Sequence, residues 1–196
     1  MGNISILIAG VGGQGTLLTS RVLGTAAVKA GYDVKVSEVH GMSQRGGSVV
    51  TYVKIGDKVN SPVIEKGEGD ILLCFEKLEA MRWLDYAKKD GTIIVNDQRI
   101  DPMPVIIGRE KYPDDIISKI RSRRPGVYVI DALNTAKELG NIRALNIVMV
   151  GFLARKTNIS KEIWHEAIRE NVKEKYVQLN LNAFDEGYKI AESYMN

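Results

Sequence analysis

Sulfur and imidazole are scarce in this sequence, with one cysteine and two histidines among 196 residues. A lone thiol, Cys74 in "DILLCF", cannot close an internal disulfide, nor can it anchor an iron–sulfur cluster, which takes several cysteines. It reads as a small core residue on a buried strand. Two histidines far apart and one cysteine make no metal-ligand set, and no G-x-S-x-G elbow supplies a nucleophile. A large excess of charge is missing as well. A formal net charge of +3 excludes a strongly basic nucleic-acid binder. Only "RSRRPG" (121–126) gathers cations, either as a solvated helix end that complements the helix dipole or as an anion- or partner-binding patch. No apolar run reaches membrane-spanning length, and the N-terminus lacks a basic region followed by a signal core, so a cytoplasmic chain with no membrane contact is expected. No repeat, low-complexity tract or linker divides residues 1–196, which read as one domain.

With 44% hydrophobic and 26% charged residues, the composition is that of an ordinary folded protein with a sizeable core. Five short runs rich in β-branched residues predict buried strands at 4–9, 33–39, 70–75, 92–96 and 127–131. Amphipathic helices are predicted at 16–30, stopped by Gly31, and at 78–89, where "KKDG" supplies basic residues and a terminating glycine. This alternation predicts an α/β fold, a Rossmann-like and mainly parallel sheet with helices on both faces. "GGSVVTYVKIGDKVNSPVI" interrupts it and predicts a β-hairpin inserted at the sheet edge, turning at Gly56–Asp57. A short strand is expected at 105–107 within a proline-punctuated connection. The last third reads as a helical segment: a mostly apolar helix at 143–156, one capped by Ser160 with Ile159 and Trp164 as a staple, and a final helix striped by Tyr176, Leu179, Ala183, Phe184, Tyr188 and Ala191. That stripe suits core or subunit contact better than a cofactor box, and His165 beside Trp164 reads as structural.

In a parallel sheet, ligands bind beyond the carboxyl ends of the strands. The residues expected there are Gly10 to Gly15, Glu38 with "HGMSQRGGS", Glu76, Asn96 and Asp131. The G-x-G-G-x-G turn of "IAGVGGQGTLL" lets backbone N–H groups approach an anion at a helix N-terminus, with Glu38 spaced to meet a ribose. The alternative is that the glycines only permit a tight turn. In "EVHGMSQRGGS", Gly41, Gly46 and Gly47 bracket Arg45, whose guanidinium fork suits a carboxylate or phosphate, or a partner surface. His40 could transfer a proton near neutral pH or cap the loop.

Taken together, "GVGGQGTLLTSRVLGTAAVKAGYDVKVSEVHGMSQRGGSVV", "SPVIEKGEGDILLCFEKLEAMR" and "LGNIRALNIVMVGFLA" resemble the gamma-type module of 2-oxoacid:ferredoxin oxidoreductases over most of the chain. Within that group the sequence is most similar to indolepyruvate-type beta subunits. The resemblance implies a CoA-dependent oxidative decarboxylation of an aryl-pyruvate with ferredoxin as acceptor. It implies thiamine diphosphate and [4Fe-4S] clusters in a large alpha-type partner subunit, ferredoxin reached through the complex, coenzyme A as co-substrate and no cofactor held by this chain alone. Such a subunit, when isolated, could pair as a homodimer. The family's glycine loop falls on Gly12, Gly13, Gln14 and Gly15. Its second signature falls on Glu38, His40, Gly41, Gln44, Arg45, Gly46 and Gly47, with the loop and Arg45 implied to face substrate, coenzyme A or the large subunit. Lys77 stands where proline is common in the family. Two other classes remain open from the residues themselves: a stand-alone NAD- or FAD-binding oxidoreductase, and a purely structural or regulatory partner.

Overall fold

The computed structural model describes residues 3–40, His40 by its main chain only, and 47–194. Six strands, β1 (Ile4–Val11), β2 (Asp33–His40), β3 (Ser48–Gly56), β4 (Gly69–Cys74), β5 (Ala87–Asn96) and β6 (Val127–Ile130), form one sheet in the order β2-β3-β1-β4-β5-β6. The helices are α1 (Thr16–Lys29), α2 (Lys77–Trp83), α3 (Met103–Ile106), α4 (Ile116–Arg123), α5 (Ala132–Glu138), α6 (Leu145–Ala154), α7 (Lys161–Asn171) and α8 (Val177–Ser193), with single 3-10 turns at Leu84–Tyr86, Ile142–Ala144 and Glu174–Tyr176. β1–β4, β4–β5 and β5–β6 pair in parallel, whereas β3 pairs antiparallel with both β1 and β2. Every strand except β3 therefore points its carboxyl end to the same rim.

The two faces of the sheet follow from side-chain alternation. Ile6 and Ile8 of β1 enter one core with α1, α5, α6, α7 and α8; Leu7 and Ala9 enter a second with α2 and α4. α1 ends where Gly31 takes φ 86, with Gly31 N donating to Val28 O at 2.9 Å and Tyr32 N to Ala27 O at 3.0 Å. α6 is buried along all ten residues, which explains its lack of a polar face. It crosses α8 at Gly151 and Gly187. A Cβ on Gly187 would lie 1.9 Å from Val148 O, and one on Gly151 2.1 Å from Phe184 O, so the two backbones touch.

Three expectations are corrected. The hairpin is formed by β2 and β3 around 41–46, not by two pieces turning at Gly56–Asp57, and β3 lies inside the sheet. Its Val49, Val50, Thr51, Val53 and Ile55 are buried, as a strand with neighbours on both edges requires. The helix expected at 78–89 stops at Trp83, and "KKDG" belongs to β5. Lys88 pairs with Asp70 across the parallel ladder, which a helix could not allow. The strand expected at 105–107 is helical instead, because Pro102 and Pro104 hold φ near the helical value at the first turn of α3.

Candidate functional site

β1 delivers its last residues to the rim between α1, which leads away to one side of the sheet, and β4, whose continuation leads to the other. A crevice at such a reversal is where α/β sheets usually take ligands. Here one side chain fills it. Gln14 Oε1 accepts from Val11 N at 2.8 Å, and its Nε2 donates to Phe75 O and to Gln98 Oε1, each at 3.0 Å. The amide thus staples the glycine loop to the ends of β4 and β5. Asn96, buried at the end of β5, adds bonds from Nδ2 to the same Phe75 O and Gln98 Oε1 at 3.1 Å, and its Oδ1 accepts from Ala132 N.

Gly15 precedes α1 with φ 83 and no side-chain cap. Its carbonyl accepts from Thr19 N, Thr19 Oγ1 and, at 3.3 Å, Asn146 Nδ2 of α6. Asn146 is only 3% exposed, and its Oδ1 is buried with no hydrogen-bond partner among the described residues. An acceptor left in that state costs free energy unless something donates to it. Beside it opens a cleft of about 510 Å³ lined by Gly13, Gly15, Leu18, Ile142, Arg143 and Asn146, among others. A second cleft of about 400 Å³ shares Leu18 and Arg143 and reaches Lys173 and Tyr176. Arg143 makes no ion pair among the described residues. The N–H groups of the first turn of α1 and the Arg143 guanidinium suit an anion there; Asn146 Oδ1 suits a donor.

The loop's other neighbour is the β2–β3 hairpin. Gly12 N donates to Gly47 O at 2.9 Å, and Val11 pairs with Ser48. Ser48 Oγ in turn bonds to Glu79, a buried carboxylate of α2 that also takes the Arg82 guanidinium. Gly12, Gly13, Gln14, Gly15 and Gly47 are therefore brought together on one lip. His40 reaches the same rim by its main chain, paired with Val49. Gly41, Gln44, Arg45 and Gly46 lie outside the described residues.

Other rim residues serve the scaffold. Glu76 is buried and caps α2 by accepting from Glu79 N at 2.9 Å; it also binds Ile100 N and Tyr112 Oη. Burial first, then this carboxylate, push the Tyr112 hydroxyl well above its ordinary pKa. Asp131 caps α5 through Asn134 N. Glu38 accepts from Ser20 Oγ at 2.8 Å. Because β3 separates β2 from β1, Glu38 stands two strand spacings, roughly 10 Å, from the strand that carries the glycine loop. Its carboxylate is engaged by Ser20 of α1, and β2 is not the strand beside β1 as a dinucleotide-binding β-α-β unit requires, so the dinucleotide expectation built on Glu38 finds no support in the sheet order.

Burial raises the Cys74 thiol well above its ordinary pKa within β4, so it offers no thiolate. Among the described residues no three His, Cys, Asp or Glu side chains converge as a metal site, and no helix is long and apolar enough to cross a membrane. With one cysteine in the whole sequence, the chain lacks the several thiolates that an iron–sulfur cluster takes. Asn146, Arg143 and Gln98 escaped the sequence reading. The one available signal was Asn146, a lone amide inside "LNIVMVGFLA".

The model of the pyruvate ferredoxin/flavodoxin oxidoreductase family matches residues 5–190. The chain is 41% identical to the indolepyruvate oxidoreductase subunit IorB of Pyrococcus horikoshii, with all of both chains covered. It resembles the crystal structure of the keto/oxoacid ferredoxin oxidoreductase gamma subunit from Geobacter sulfurreducens at 25% identity and a TM-score of 0.73, covering 97% of this chain and 99% of that one. The same fold, at 23% identity and a TM-score of 0.75, covers 98% of this chain and 32% of the 2-oxoglutarate:ferredoxin oxidoreductase chain from Magnetococcus marinus.

Proposed function

Because the chain belongs to the pyruvate ferredoxin/flavodoxin oxidoreductase family, we propose that it is the small, non-autonomous subunit of a cytoplasmic indolepyruvate or related aryl-pyruvate ferredoxin oxidoreductase. All of residues 1–196 act as one module. The reaction joins an aryl-pyruvate and coenzyme A into an aryl-acetyl-CoA, releases carbon dioxide and a proton, and passes an electron pair to ferredoxin. Thiamine diphosphate and the [4Fe-4S] clusters sit in a large alpha-type subunit and supply the carbanion and electron chemistry. This chain shapes and closes the site from one side.

The observation that carries this reading is the bond from Gly12 N to Gly47 O. It joins the glycine loop to the exit of the arginine segment on the rim that also opens the Asn146 cleft. In the assembled enzyme Gly12, Gly13, Gln14 and Gly15 present backbone to the partner's site. Gly41, Gln44, Arg45, Gly46 and Gly47 bring a guanidinium to the substrate carboxylate, a coenzyme A phosphate or the large subunit. Glu38 steadies the hairpin through Ser20, and His40 stands at its entrance as a candidate proton carrier. The Arg143 side of the cleft suits the anionic groups of coenzyme A.

Reconstitution tests the reading. The purified chain should oxidise no 2-oxoacid, and turnover should appear when the large subunit is added. Autonomous turnover would refute it. Arg45→Ala should leave assembly intact and lower turnover at least about tenfold, the loss expected for a charge-assisted bidentate contact. Undiminished turnover would remove Arg45 from the site.

A further inference from the structure

After β5 the chain leaves the rim, makes α3 and returns. Both shoulders of this excursion are held by one carboxylate oxygen. Glu76 Oε1 accepts from Ile100 N at 3.2 Å and from Tyr112 Oη at 2.5 Å. The Arg99 guanidinium lies 4.4 Å from the Tyr112 ring centroid and is tied to Asp101, which closes the neck further. Between the shoulders, Pro102 and Pro104 fix the backbone of α3. Val105 turns in to the core, while Met103, Ile106 and Ile107 are 65%, 65% and 52% exposed. No other window of five described residues exposes three large apolar side chains. Their exposure adds nothing to the stability of the monomer. A pinned neck and two prolines also mean that little ordering is needed when the tip is covered.

We propose that residues 100–112 are a docking knob whose Met103, Ile106 and Ile107 enter an apolar recess on the large catalytic subunit; that occupant rests on the function proposed above. Position selects it. Gln98, just before the neck, accepts from Gln14 Nε2 at 3.0 Å, and its carbonyl accepts from Lys77 N at 3.1 Å, so the knob is rooted on the same lip as the glycine loop. A subunit laid over the loop to bring its reacting centre to the cleft covers this rim and meets the knob. A second copy of this chain would bring another rim of the same composition and leave the cleft without its missing chemistry.

The test is the affinity of the chain for the isolated large subunit, measured by surface plasmon resonance. Met103→Asp combined with Ile106→Asp changes exposed positions only and should keep the wild-type melting temperature. It should weaken association by about tenfold or more. Turnover should then return as the large subunit is raised in concentration. Val28→Asp, an equally exposed apolar position on α1, should bind as wild type does. Wild-type affinity in the double variant overturns the knob while leaving the proposed function in place. Loss of self-association instead of heteroassociation overturns it in favour of a second copy. A wild-type chain that does not bind the large subunit overturns the proposed function and the knob's occupant together.

Discussion

Gln14 makes three polar contacts through one amide, and its two ends are not interchangeable. In Gln14→Glu the donor toward Phe75 O and Gln98 Oε1 becomes an acceptor facing two others, while the bond from Val11 N survives. The variant should lose about 2–3 kcal/mol in urea denaturation, the cost of buried acceptors brought together without a proton between them. The glycine motif announced a turn and a helix start. It did not announce that its single amide would occupy the crevice, since Phe75 and Gln98 are distant in sequence and adjacent only once the sheet is built. Gly15 carries a similar lesson. A tight turn there was legible from the motif, but the 2.8 Å approach that a Cβ would make to Asn146 Nδ2 spans most of the chain. Gly15→Ala should destabilise by about 1–3 kcal/mol. In a double-mutant cycle with Asn146→Ala the two losses should fall short of additive, because the second change removes the atom in the way. Strict additivity in thermal melts would mean that φ alone sets the cost.

Elements were legible where one periodicity ruled and obscure where packing overrode it. β1, α1 and β4 announce themselves through apolar runs and turn formers. β3 does not, because an interior antiparallel strand and an edge hairpin share the same residues and differ only in what lies beside them. The α6–α8 crossing is likewise invisible without the partner helix. Gly187→Ala would drive a methyl group into the Val148 carbonyl, and neither backbone can yield alone. A cost of about 3 kcal/mol or more is expected, seen as a melting-temperature fall on the order of 10 °C. The α7–α8 contact should respond to acid. Burial raises the Asp185 carboxyl, but bonds from Lys161 and His165, each 2.8 Å away, outweigh it and leave the pKa below the ordinary 3.8. A lowered folded value means the ionised form favours folding. That contribution is complete above pH 3.8 and disappears as the pH falls through the folded value. Asp185→Asn should therefore flatten the acid limb of a stability profile measured by denaturant titration; an unchanged limb would place the acid sensitivity elsewhere.

For the whole molecule, five of six strands aim at one rim, and the glycine loop, both ends of the hairpin, the knob and the Asn146 cleft gather there. That convergence was legible in outline from the residues expected past each strand end, although Glu76, Asn96 and Asp131 proved to be braces. Binding of the large subunit should slow hydrogen–deuterium exchange at 12–15, 98–107 and 142–146. The opposite end, at 31–33 and 56–68, should exchange as in the free chain. Protection confined to that opposite end would turn the molecule around.

The antiparallel β3 carries a further consequence. Eight paired positions on β2 and another eight on β1 set its register, and the Gly12 bond fastens its entrance. Locked on both edges, β3 cannot slip by one residue without breaking two ladders at once and turning its buried face to the other side of the sheet.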